Sequence, residues 1–175
     1  MTRPSHLLAA AALLTVAACS STPTPSALTA CPRVAVLSDL STLTRFRDGP
    51  GRDLTDVQIE AQFSGLAFGC KFDKDSVTIE IDVQIEATRG PALAQPKARF
   101  EYFAAVTNPA GEIVAKEPFV AEVEFKGNVA RLVVADELAQ RIPLIDRASS
   151  PGWSVLLGLQ LTEAEAEWAR QRKAR

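Results

Sequence analysis

From Val77 to Ala87 the chain alternates without a break, with Val77, Ile79, Ile81, Val83, Ile85 and Ala87 set against Thr78, Glu80, Asp82, Gln84 and Glu86. A period of two buries one face of a strand and wets the other, which predicts an antiparallel sheet covered on one side only. The same period runs through Val57 to Phe63, on Val57, Ile59, Ala61 and Phe63, and through Leu66 to Phe72, on Phe68, Cys70 and Phe72. Gly65 between them marks a bulge or a hairpin turn. Arg99 to Thr107, Phe119 to Phe125 and Trp153 to Leu161 read as further strands, with shorter ones at Arg33 to Ser38, Ile113 to Ala115 and Val129 to Val134. Breakers separate them: Asp48-Gly49-Pro50-Gly51, Asp73-Lys74-Asp75-Ser76, Asn108-Pro109-Ala110-Gly111 and Lys126-Gly127-Asn128. Asp39 to Arg52 reads as a loop that Leu43, Phe46 and Leu54 pin to the core. Asp136 reads as the cap of a single helical turn, Glu137 to Ile142, which Pro143 ends.

The pattern changes at the C-terminus. Thr162-Glu163-Ala164-Glu165 has capping-box spacing, and acids in the first turn with Arg170, Arg172 and Lys173 in the last suit the helix dipole. A helix is therefore expected over residues 163–174. Many short strands and one terminal helix predict an all-β domain over residues 31–175. The expected fold is a two-sheet antiparallel sandwich of immunoglobulin-like general type, with a small β-barrel as the alternative. The immunoglobulin signature itself is missing, because no tryptophan stands between Cys31 and Cys70.

The first residues follow another logic. An apolar run from Leu7 to Ala18 follows Arg3 and is too short to span a bilayer comfortably. It ends in Val16-Ala17-Ala18-Cys19, which resembles the lipobox of bacterial lipoproteins. The resemblance implies a signal peptide over residues 1–18 and acylation of Cys19, whose thiolate forms the thioether to lipid. Residues 19–30 then hold the lipidated cysteine and a Ser/Thr/Pro tether with nothing to bury. Ser20 stands where enterobacterial inner-membrane lipoproteins carry aspartate, so the resemblance leans to the outer membrane and a domain facing the periplasm.

Charge and composition narrow the function mainly by exclusion. The net charge of −2 over 175 residues comes with no basic block, which argues against nucleic acid. The single histidine is His6, so a chain without its leader has no imidazole for a Ser–His or Cys–His pair or for a histidine metal site. Carboxylate-only chemistry survives this test. No metal or other cofactor is expected. Of the three cysteines, lipidation takes Cys19 and leaves Cys31 and Cys70. In an oxidising envelope the default for that pair is a structural disulfide, with a redox-active pair as the sharper alternative, though Cys-x-x-Cys spacing is absent.

Glu80, Asp82 and Glu86 on the wet face of the clearest strand invite a carboxylate-pair reading for glycoside hydrolysis. A solvated strand face explains them as well, so no catalytic residue is assigned. Phe103 and Leu156 point away from the main apolar rows of their strands, so something apolar should cover them. Ala164 and Trp168 fall on one stripe of the terminal helix and are the nearest cover in the chain. Otherwise Phe103, Leu156 and Trp168 form a patch for a partner protein.

Phe100 to Val106, and Gly158 to Thr162 with the acidic-to-basic helix behind it, look like small lipoproteins of alphaproteobacteria. That resemblance implies an envelope lipoprotein and assigns no functional residue. The expectation is a non-catalytic binding or scaffolding module, tied to the bilayer through acylated Cys19, with an envelope protein or glycan as partner. A carboxylate-based hydrolase acting on glycan is the other reading.

Overall fold

A computed structural model describes residues 30–173. The expected signal peptide over residues 1–18, the expected lipidation at Cys19 and nearly all of the expected tether lie outside the described residues. Eight strands follow in chain order: β1 (Arg33–Val36), β2 (Thr42–Phe46), β3 (Val57–Phe72), β4 (Ser76–Arg89), β5 (Lys97–Thr107), β6 (Ile113–Glu124), β7 (Arg131–Pro143) and β8 (Ser154–Leu159). The helix α1 (Glu163–Lys173) closes the chain. The strands form two four-stranded sheets, β1-β8-β5-β6 and β2-β3-β4-β7. This is the all-β sandwich that the alternation implies, not a closed barrel. Its strands pair antiparallel except β1 with β8, which run parallel.

Why the sheets pack is written on β4. Its inward row, from Val77 to Ala87, is at most 1 % exposed, and it meets Phe100, Tyr102, Leu157 and Leu159 in the same core. Each Val, Ile, Leu or Phe side chain among them contributes about 1.5–3 kcal/mol by burial. Gly65 marks a bulge, not a turn. The register with β4 shifts between Phe63 and Gly65, so β3 continues through to Phe72 as one strand.

Three expectations need correction. The stretch from Asp39 to Arg52 contains β2, with Leu43 1 % exposed, so it is not a plain loop. Leu54 is 82 % exposed and pins nothing. The turn holding it is shaped by Asp53 and Asp56, which cap each other's backbone and leave Leu54 facing water. Residues 137–142 are strand, not a helical turn. They belong to β7, whose backbone is paired with β4 from Ser76 to Thr88. The inward row of β7 includes Asp136 and Gln140 beside Leu138 and Ile142, and those two polar residues break its apolar alternation.

The two long sides of the sandwich are closed differently. Where β6 lies over β7, Tyr102 donates its hydroxyl to Asp136 Oδ2 at 2.5 Å and Gln140 Nε2 donates to Glu117 Oε2 at 2.9 Å. Tyr102 also stacks on Phe119, with ring centroids 5.2 Å apart. On the other side the Cys31–Cys70 disulfide ties the start of the domain to β3, with Cα atoms 5.9 Å apart. There β2 covers only Val57 to Gln62 of β3.

Candidate functional site

The outer face of the β2-β3-β4-β7 sheet carries two polar rows that run straight across the strands. Register places Thr42, Gln62 and Glu86 in one row, and Thr44, Glu60, Thr88 and Arg131 in the next. The helix α1 walls this face on the β2 side, so that Trp168 and Arg172 complete a groove of about 450 Å³.

The helix is fixed there by one buried acid. Glu165 accepts the Thr162 backbone N–H at 2.8 Å, while its own N–H donates to Thr162 Oγ1 at 3.3 Å, which is the expected capping box. The same carboxylate pairs with Arg45 Nε of β2 at 2.8 Å. Trp168 then meets Phe46 edge to face, 4.9 Å between centroids. Its Nε1 is buried and has no hydrogen-bond partner.

The groove's charges are matched in pairs. Glu60 faces Arg172 at 3.4 Å and accepts from the Thr44 hydroxyl at 3.5 Å. Glu86 accepts from Gln62 Nε2 at 3.1 Å and faces Arg131 Nε at 3.5 Å. Two acids and two guanidiniums leave the lining without net charge. It is rich in amide and hydroxyl groups that both donate and accept. Such a surface favours a polar ligand without net charge over an anion or a cation. A general acid for glycoside hydrolysis calls for a desolvated carboxyl. The carboxyl-bearing side chains of Glu60 and Glu86 are instead 45 % and 21 % exposed.

Of the residues singled out from sequence, Glu86 and Trp168 line this groove. Glu80 and Asp82 lie further along β4 on the open face, where Glu80 is paired with Lys71 at 2.6 Å. Phe103 is 6 % exposed and carries the Lys116 ammonium over its ring at 4.1 Å. A Cβ at Gly158 would meet both Phe103 and Leu40, so the turn Ser38–Leu40 shares in covering that face. Leu156 is half-buried opposite Ala105. Trp168 is seated edge to face on Phe46. Sequence reasoning missed Glu60, Gln62, Arg131 and Arg172. Strand alternation places Glu60 and Gln62 on a wet face, but only the pairing of β7 with β4 brings Arg131 beside them.

Other acids have local explanations. Asp53, which accepts from the Thr55 hydroxyl and the Thr55 N–H at 2.7 Å, is held below the usual carboxylate range chiefly by that hydroxyl. No cluster of ligands suited to a metal and no helix long and apolar enough to cross a membrane occurs among the described residues. No protein-family model matches the chain, and a search of curated proteins finds no match.

Proposed function

We propose that this chain is a lipid-anchored binding module of the cell envelope, and that the groove between α1 and the β2-β3-β4-β7 sheet takes a neutral, polyhydroxylated ligand, a segment of envelope glycan. The carrying observation is the charge-matched lining, in which Glu60 and Glu86 each face an arginine beside Gln62, Thr44 and Thr88. Glycan hydroxyls exchange readily with such amide, hydroxyl and carboxylate partners. The proposed anchor is Cys19, on the strength of the lipobox-like Val16 to Cys19, with Ser20 favouring the outer membrane.

A carboxylate-based hydrolase is the second reading, because two carboxylates line one groove. Their exposure and guanidinium partners argue for binding instead. Titrating soluble peptidoglycan and other envelope glycan fragments into the full chain in detergent tests this. Binding that Gln62→Ala with Arg172→Ala weakens at least tenfold, with no new reducing ends, supports the module. New reducing ends that disappear in Glu86→Gln establish the hydrolase. Absence of glycan binding, with a partner protein held through the same residues, overturns the glycan assignment. The anchor is tested separately: Cys19→Ala should leave unprocessed precursor without acyl label, and a mutant that still carries diacylglycerol removes the proposal.

A further inference from the structure

The place where the chain enters the sandwich is fixed. Cys31 is bridged to Cys70 near the end of β3, and the Arg33 N–H donates to the Trp153 carbonyl at 3.1 Å. The connections at this end of the molecule are tied to one another. The Leu144 N–H donates to the Asp75 carbonyl at 2.8 Å, Arg147 donates to the Asp73 carbonyl at 3.1 Å, and a Cβ at Gly152 would meet Pro109. The chain entry, the turns at 73–75 and 108–112 and the connection 144–153 therefore share one end.

Three aliphatic side chains stand in water there. Ile145, just past β7, is fully exposed, and Ile113 and Val114 at the start of β6 are 64 % and 53 % exposed. The charges around them cancel, with Arg33, Lys74, Arg141 and Arg147 against Asp73, Asp75, Glu112 and Asp146. A surface with aliphatic tips and no net charge suits a zwitterionic lipid surface, into whose headgroup layer such side chains can sink.

We propose that this end of the sandwich rests on the bilayer that holds Cys19, with Ile113, Val114 and Ile145 dipping among the headgroups. The inference rests on the attachment at Cys19 proposed above. Where the tether ends selects the occupant. Residues 20–30 reach about 34 Å at the polyproline rise, and they deliver the chain to this end of the molecule. A contact on so short a tether forms at high effective concentration, so a few aliphatic side chains suffice where an untethered protein needs a larger patch. Leu54 and Val129 are also exposed, but they stand at the opposite end, beside the start of β3 and the start of β7. The contact also orients the groove. Gln62 lies eight positions from Cys70 along β3, about 25 Å at the strand rise, so the polar rows are held away from the headgroups. The groove then opens toward glycan beyond that bilayer and not toward the sugars of its own lipids.

The test couples the full chain through Cys19, its one cysteine outside the bridge, to a maleimide lipid in phosphatidylcholine vesicles. The vesicles also contain a phosphatidylcholine with a diazirine in its acyl chain. Chemical coupling makes the result independent of whether cells acylate Cys19, which the Cys19→Ala labelling decides separately. After photolysis, peptide mass spectrometry should find lipid adducts on the segments holding Ile113, Val114 and Ile145, at least fivefold above those holding Leu54 and Val129. Ile113→Ser with Ile145→Ser changes two exposed positions, so the melting temperature should hold while these adducts fall at least fivefold. The adducts should survive about 1 M salt, where charge attraction reaches only about 3 Å. Adducts confined to residues 1–30 overturn the proposal, as do adducts spread equally over both ends or gathered at Leu54 and Val129. Adducts at the expected segments that persist in the double variant, or vanish in salt, also overturn it, because the aliphatic side chains would then not make the contact.

Discussion

The two long sides of this sandwich solve one problem in opposite ways. At β6 and β7 the sheets meet through side chains, a tyrosine–aspartate hydrogen bond and a glutamine–glutamate hydrogen bond, with the tyrosine stacked on Phe119 of its own sheet. At β3 no strand is paired past Gln62 on this side among the described residues, and past the Phe63 N–H bond to Ser41 one covalent bridge, Cys31–Cys70, ties the strand to the start of the domain. Noncovalent closure needs long strands on both sheets, and β6 and β7 supply 12 and 13 residues. On the other side β1 and β2 have only 4 and 5 residues, too few to cover a strand of 16. A disulfide suits that shortage, because it stabilises chiefly by restricting the unfolded chain and needs little surface.

Removing the bridge should therefore give the largest effect. Replacing both Cys31 and Cys70 with alanine opens a loop with a sequence separation of 39 and should cost about 4 kcal/mol in the chain-entropy model. Denaturant unfolding of the oxidised protein and the double variant measures it. Amides of β3 beyond Gln62 should gain exchange more than those of β7. Equal gains on both sides would mean that the bridge serves the whole domain and not one edge.

At the closed side the key group is Tyr102, which is fully buried and donates to Asp136. Tyr102→Phe should cost about 1.5–3 kcal/mol, the range for a hydrogen bond to a charged partner. Burial first, then the bond to Asp136, pushes the phenol well above its ordinary value of 10.0. The folded state thus favours the neutral phenol, and this stabilisation is complete below the unfolded value. It declines as pH rises from about 10 toward the higher folded value. Wild type should lose stability over that alkaline window more steeply than Tyr102→Phe. Parallel curves would show that the hydroxyl is not held as described.

How much of this was legible in the sequence follows from what alternation can report. The inward row of β4 and the capping box at Thr162 and Glu165 need only neighbouring residues, and both could be read. The strand character of residues 137–142 could not. Asp136 and Gln140 stand in the inward row because they face Tyr102 and Glu117 of the other sheet, partners that no local pattern reveals. The groove was hidden for the same reason: Glu86 was visible as a wet-face acid, but its meeting with Gln62 and Arg131 depends on sheet order. The unpaired stretch of β3 was equally invisible, since nothing in Val57 to Phe72 says that its neighbour stops at Gln62.

The helix gives the intermediate case, an edge covered by a separate element. Trp168 is half-buried against Phe46, so Trp168→Ala should lower stability by about 2 kcal/mol through lost apolar area. It should raise exchange in β2 while leaving the amides of residues 64–72 unchanged. If those amides respond too, the two halves of the β3 side are one cooperative unit.

The smallest effect is expected at the second polar clasp. Gln140 is 7 % exposed and donates to Glu117, which is itself exposed. Gln140→Met removes a buried amide, substitutes an apolar side chain of similar length, and lets Glu117 return to water. The lost bond and the regained hydration should nearly cancel, leaving a change within about 1 kcal/mol of zero. Its value lies in the pairing with Tyr102→Phe. Asp136 and Gln140 lie four positions apart on one strand, about 13 Å at the strand rise, so the two clasps share no partner. Independent clasps give additive losses within about 0.5 kcal/mol in a double-mutant cycle. A larger coupling would mean that the closed side is a single network held through the Tyr102–Phe119 stack, and that its resistance to opening is collective where the disulfide side relies on one bond.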